Sequence, residues 1–147
     1  MNTVAALPWL LFFDPERRGK REQRVRSAIA DRPQLEPRLL CAACKQVVTY
    51  PIQRLSAAGS HEHACTNPHG ITYHIGCFRD ACGCVTVGES TTAYTWFAGY
   101  AWRIALCGNC RGHLGWEFRA ETDRFYGLIL DRLVLEQPAA DNASGGG

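Results

Sequence analysis

The chain is predicted to be all-β and antiparallel, with a short helical extension ahead of the sheet, and three observations carry that expectation. From Leu40 onward the sequence breaks into short segments of period two, bounded by Gly, Pro, Asn and Ser, which is the pattern of half-buried strands. Two Cys-x-x-Cys pairs bracket 62 of these residues and act as fixed points in the pattern. Finally, 147 residues of which 46% are apolar fit one domain able to build a hydrophobic core without disulfide staples.

Taken in order, residues 1–39 read as a partly helical leader, 40–136 as the β domain and 137–147 as a disordered tail of small and polar residues. In the leader, Asp14 suits an N-cap, Pro15 stands where a missing N–H costs nothing, and Glu16 favours the positive end of the dipole. Asp31-Arg32-Pro33 ends the helix. Arg17, Arg18, Lys20, Arg21, Arg24 and Arg26 make it basic, and with Glu16 and Glu22 interspersed they read as a solvated face. The expected strands are Gln46 to Tyr50, Ile71 to Phe78, Val85 to Val87, Thr91 to Trp96, Trp102 to Leu106, Leu114 to Arg119 and Phe125 to Leu130.

Charge and cysteine usage narrow the function classes. The net charge is +2, with 8 basic and 5 acidic residues before Cys41 and 8 and 9 from it onward, so the body is near neutral. That argues against a nucleic-acid partner, whose phosphates need clustered cations. Eight cysteines raise the question of a secreted disulfide framework. Val4 to Phe13 is apolar but has no basic region before it, contains Pro8 and runs into Asp14-Pro15 with no small-residue cleavage site. It is also far short of the ~20 residues that span a bilayer. The expectation is a cytoplasmic protein with reduced thiols and no membrane partner.

Reduced thiols at regular spacing suggest metal. Cys41-Ala42-Ala43-Cys44 and Cys107-Gly108-Asn109-Cys110 each form a knuckle that points two sulfurs at one centre, and two knuckles complete a tetrahedron around Zn²⁺. Four thiolates leave no open position for water, so one structural zinc is expected. Cys65, Cys77, Cys82 and Cys84 read as packing or solvated thiols. Their neighbours His61, His63, His69 and His74 lack diagnostic ligand spacing, and His61 and His63 look like loop residues without a role.

The second signal is aromatic. Trp96, Trp102 and Trp116 fall within 21 residues, with Phe118 on the same strand face as Trp116. Trp102 precedes Cys107 by five residues and Trp116 follows Cys110 by six, so a zinc-clipped hairpin is expected to bring both indoles to similar height on adjacent strands. A core and a ligand cage are both open readings of three tryptophans. Glu117 alternates with Trp116 and Phe118 and is expected to face away from them, which leaves the site uncharged.

Six segments together resemble a known family: Cys41-x-x-Cys44, Asn67-Pro68-His69-Gly70, Trp96-Phe97-x-Gly99-Tyr100-x-Trp102, Cys107-x-x-Cys110, His113-Leu114-Gly115-Trp116 and Phe125-x-Gly127-Leu128. From about Leu40 to Leu135 the chain is similar to the CULT domain, the thalidomide-binding domain of cereblon, and especially to its free-standing bacterial members. The resemblance implies a β-tent of two antiparallel sheets pinned by zinc. It also implies that Trp96, Trp102 and Trp116 wall a cage for uracil and cyclic imides such as glutarimide, with Phe118 at its base. Tyr94, Thr95 and Trp96 would bond the imide and Asn67 would border the pocket. Vertebrate cereblon carries His in place of Tyr94, which changes side-chain contacts and leaves backbone bonds alone. Ubiquitin-ligase adaptor binding is not carried over, because the family's additional regions do not fit in the 40 residues before Cys41.

The expected function is therefore a zinc-stabilised binding module, not an enzyme, whose partner is a small cyclic imide or uracil-like ligand, including an imide at a protein terminus. Three alternatives belong to other classes. Methionine sulfoxide reductase B resembles this fold and carries two zinc Cys-x-x-Cys pairs, but needs a nucleophilic thiol in the pocket, and no cysteine is placed among the aromatic segments. An aromatic-cage reader of methylammonium groups would use cation–π contacts. A zinc-ribbon-like nucleic-acid binder is disfavoured by the neutral body.

Overall fold

The computed structural model describes residues 36–138. The expected leader helix and residues 139–147 of the expected tail lie outside the described residues. Among the described residues, nine strands form two antiparallel sheets. The smaller, in the order β2-β1-β9, contains β1 (Arg38–Cys41), β2 (Val47–Thr49) and β9 (Leu133–Glu136). The larger, in the order β3-β4-β8-β7-β6-β5, contains β3 (Glu62–Thr66), β4 (Thr72–Phe78), β5 (Cys84–Thr91), β6 (Ala101–Cys107), β7 (His113–Arg119) and β8 (Arg124–Ile129). Helical structure among the described residues is confined to 3₁₀ turns at Pro51–Gln53 and Leu130–Arg132. None of it is long and apolar enough to cross a membrane.

Strand alternation divides the interior into two cores, one on each face of the larger sheet. On one face Phe78, Ala105, Cys107, Tyr126 and Leu128 pack against Leu39, Cys41 and Val48 of the smaller sheet. On the other, Ile75, Cys77, Trp116, Phe118, Phe125 and Ile129 are joined by Phe97 from the segment after β5. Burial on both faces explains why β8, Arg-Phe-Tyr-Gly-Leu-Ile, reads as a nearly continuous apolar run.

Three strands were not expected. β3 hides because its half-buried positions are His63 and Cys65, so no apolar alternation marks it. β1 begins at Arg38, inside the stretch read as leader, and with β9 presents consecutive apolar residues without alternation. The expected strand Thr91 to Trp96 is corrected: β5 ends at Thr91 and the chain turns through Tyr94 at φ 56°. Side chains hold that turn, since Ala93 N–H donates to Thr91 Oγ1 at 3.1 Å and the Trp102 indole N–H donates to the Ala93 carbonyl at 2.7 Å. These local bonds outweigh the strand propensity of Tyr, Thr and Trp.

The β6–β7 register also differs from the expected one. Trp102 stands opposite Phe118, and Ile104 opposite Trp116, so the two indoles share a face but lie diagonally. The hairpin turn closes between Cys107 N–H and the Gly112 carbonyl at 2.8 Å, not symmetrically about the cysteines, and the register shifts between Ala105 and Leu106. Close backbone approach beside this bulge requires Gly115, where a Cβ would lie 2.1 Å from the Gly127 carbonyl oxygen. Gly115→Ala is expected to cost about 1–3 kcal/mol or more, the usual scale of overpacking. Denaturant midpoints compared with Ile52→Ala, at a 79% exposed site where ~0.5 kcal/mol is typical, check this.

Candidate metal centre and aromatic cluster

The two Cys-x-x-Cys segments fold into knuckles with the same hydrogen-bond pattern. Cys41 N–H donates to the Gln46 carbonyl and Lys45 N–H to the Cys41 carbonyl; in the second, Cys107 N–H donates to Gly112 and Arg111 N–H to Cys107. Lys45 and Arg111, at equivalent positions, both adopt φ 64°. The first knuckle caps β1 of the smaller sheet and the second caps β6 of the larger, so the cluster joins the sheets. Residues between them brace the joint: Gly83 N–H donates to the Val48 carbonyl and Gly108 N–H to the Gly83 carbonyl.

The four sulfurs lie within 4.8 Å of one another, with Cys41–Cys110 at 3.7 Å and Cys44–Cys107 at 3.6 Å. Bonds of about 2.3 Å in a tetrahedron separate sulfurs by roughly 3.8 Å, so this set fits one metal ion with all four positions filled by thiolate. Hydrogen bonds from the Asn109 side chain and then the Gln46 backbone bring the Cys44 thiol down to about 6. Cys84 lies opposite Cys107 on β5 but outside the four-sulfur group, and burial pushes its thiol up to about 12. Cys82 is exposed.

On the far face of the larger sheet, Trp96 and Trp116 meet edge to face at 4.7 Å, and Trp102 packs against the same cluster. The Trp96 indole N–H donates to the Thr66 carbonyl at 3.1 Å, as that of Trp102 does to Ala93. Phe118, 1% exposed, lies beneath, between Phe97 at 4.8 Å and Phe125 at 5.2 Å. Asn67 follows the residue that Trp96 bonds, and its Oδ1 accepts from His69 and Ile71 N–H, closing its own loop. Thr95 Oγ1 donates to the Phe97 carbonyl, while the Tyr94 side chain is 76% exposed.

Two members of the cluster escaped the sequence reading. Tyr73 and His113 stand edge-on to Trp116 at 5.1 and 4.8 Å. Tyr73 shares a face of β4 with Ile75 and Cys77, a period-two signal that was available. Burial holds the His113 imidazole below its usual range, so it is neutral and donates from Nε2 to the Gly115 carbonyl. His61 and His63 are also more than loop residues. They bond the carbonyls of Leu55 and of Ala57 and Ser60, and their rings stand edge-on to Phe78 and Phe97.

Thiols do lie in this aromatic cluster, contrary to expectation: Cys77 is part of it and Cys65 packs against it. Burial raises both, that of Cys77 to about 12, the opposite of an activated nucleophile.

No protein-family model matches the chain. Among curated proteins, the chain is 36% identical over 87 residues to protein cereblon of Gallus gallus, covering 56% of this chain and 20% of that one. It is 35% identical over 83 residues to protein cereblon of Danio rerio, 53% and 19% of the two chains. With protein cereblon of Drosophila persimilis it shares 48% identity over 62 residues, 39% and 10%. The matches thus span a fifth or less of these relatives. Over that segment the chain is cereblon-like, and its two antiparallel sheets, four-cysteine cluster and aromatic face are those expected of a CULT-type domain.

Proposed function

We propose that the domain is a zinc-stabilised binding module whose cage, walled by Trp96, Trp102 and Trp116 over Phe118, takes uracil and neutral cyclic imides of the glutarimide and thalidomide type and performs no chemistry on them. The observation that carries this reading is the division of labour at the aromatic face. The indole N–H groups of Trp96 and Trp102 are already bonded within the chain, so these walls offer apolar π faces. Among the described residues nothing bonds the main-chain N–H of Trp96 or the main-chain carbonyls of Tyr94 and Trp96. An imide edge presents acceptor, donor and acceptor: the Trp96 main-chain N–H can donate to one imide carbonyl and a free main-chain carbonyl can accept from the imide N–H, while the methylenes lie on indole. Asn67 borders the mouth. An imide carried on a protein terminus presents the same edge.

Glu117 supports a neutral ligand. It lies on the opposite face of the sheet, bonded to Arg103 and Tyr126, so this carboxylate does not complement a methylammonium ion in the cage. Calorimetry with uracil, glutarimide, tetramethylammonium and a short oligonucleotide tests the proposal. Binding of the first two alone supports it, and preference for either of the others refutes it.

The raised thiols of Cys65 and Cys77 favour binding over reduction of methionine sulfoxide. Incubation with methionine sulfoxide and dithiothreitol is expected to leave the sulfoxide at background. Turnover that disappears on replacing Cys65, Cys77, Cys82 or Cys84 would move the protein to the reductase class.

A further inference from the structure

Glu117 is a carboxylate only 2% exposed, set between Trp116 and Phe118 in β7 but facing the other side of the sheet. Its Oε1 accepts from Arg103 Nε at 3.0 Å and lies 3.6 Å from Arg119 Nε. Its Oε2 accepts from the Tyr126 hydroxyl at 3.2 Å and lies 4.0 Å from Arg124 Nη1. Arg103 and Tyr126 are its direct cross-strand partners, on β6 and β8. One residue away from each, on the opposite face, stands a member of the aromatic cluster: Trp102 next to Arg103, Trp116 and Phe118 next to Glu117, Phe125 next to Tyr126.

A buried ion pair is poor evidence of stability, because desolvation offsets its attraction, and its best-attested use is to fix register. Register is what the apolar pattern leaves open here. Sliding β6 against β7 by two residues keeps every side chain on its own face, since the period is two. In that slipped pairing Trp102 would stand opposite Trp116, Glu117 opposite Ala101 and Arg103 opposite Gly115. The apolar pattern tolerates the slip, but the buried carboxylate would lose its facing guanidinium, a costly separation. The observed register has Arg103 opposite Glu117 and Trp102 opposite Phe118.

We propose that Glu117 is a positioning residue for the cage, locking from behind the β6–β7 register that sets Trp102 relative to Trp116 and Phe118. Its effect on affinity rests on the imide-binding reading above, whereas its effect on register does not. The test uses full-length, metal-loaded protein carrying Glu117→Gln, Arg103→Met or Arg103→Lys. Two quantities are measured: the backbone nuclear Overhauser contact between Trp102 and Phe118, and the affinity for uracil. With one metal per chain retained, Glu117→Gln and Arg103→Met are expected to weaken or split the contact and lower affinity about tenfold. Arg103→Lys, which keeps the cation, should retain most of both.

Loss of thermal stability with the contact and affinity unchanged would show a merely structural carboxylate and overturn the proposal. Equal behaviour of Arg103→Met and Arg103→Lys would do the same. If Glu117→Gln does not fold, the two Arg103 variants decide. If wild-type protein binds no uracil, the imide reading fails, while the Trp102–Phe118 contact still decides the register.

Discussion

Purified protein is expected to contain one zinc per chain, and Cys107→Ser is expected to lose the metal together with most of the fold. The cluster ties the end of β1 in one sheet to the end of β6 in the other, and Cys41 and Cys107 are buried at 1% and 0% exposure. Structural zinc in small domains contributes about 10–16 kcal/mol at neutral pH, against a net folding stability of about 5–15 kcal/mol for a typical domain. Removing one of four thiolates therefore threatens the whole margin. Elemental analysis with far-UV circular dichroism, before and after chelation, measures both effects. A ratio near two zinc ions would point to a second site, with Cys82 and Cys84 as its nucleus, and native ellipticity in metal-free protein would show that the sheets close without the ion.

Acid should act in the same direction. Metal binding needs all four thiols of Cys41, Cys44, Cys107 and Cys110 deprotonated, so protons compete with the ion for the same sulfurs. Metal release followed with a chromogenic chelator should accordingly rise as the pH falls.

Which features were legible in the sequence follows from how far apart the interacting groups lie along the chain. A Cys-x-x-Cys knuckle is made by residues within one turn, so Cys41, Cys44, Cys107 and Cys110 were readable as a set from spacing alone, and they do converge. The strands that carry Trp102, Trp116 and Phe118 were readable from alternation. Their mutual height was not, because the turn closes at Gly112 and the β6–β7 bulge displaces the pairing, neither of which leaves a mark in the hydrophobic period. Trp96 illustrates the converse error. Its neighbours have strand composition, yet the segment is a turn held by the Trp102 indole, a bond between residues nine apart. Glu117 was rightly expected to face away from the tryptophans, but nothing in its spacing announced three arginines and a buried tyrosine hydroxyl around it.

Trp102→Ala is expected to weaken glutarimide binding by about 2 kcal/mol or more, close to thirtyfold, the loss typical of a buried tryptophan anchor. Trp116→Ala should do the same, but Trp116 is only 8% exposed and belongs to the core, where aromatic truncation costs about 3–5 kcal/mol of stability. Trp102 is half-buried and is the cleaner probe, provided metal content is shown to be unchanged. N-methylation of the imide should be comparably damaging for a different reason. It removes the ligand's only donor and leaves a backbone carbonyl facing a methyl group, so an acceptor that gave up water gains nothing in return. The two perturbations separate the two halves of the proposal, since the tryptophan change removes apolar wall and the methyl group removes polar pairing. Saturable quenching of tryptophan fluorescence by glutarimide, lost on chelation of zinc because the clipped hairpin carries two of the three walls, provides the readout. Equal binding of the N-methyl imide, or tetramethylammonium competing as well as glutarimide, would leave an aromatic surface without the hydrogen-bonded recognition that the free backbone groups of Tyr94 and Trp96 are proposed to supply.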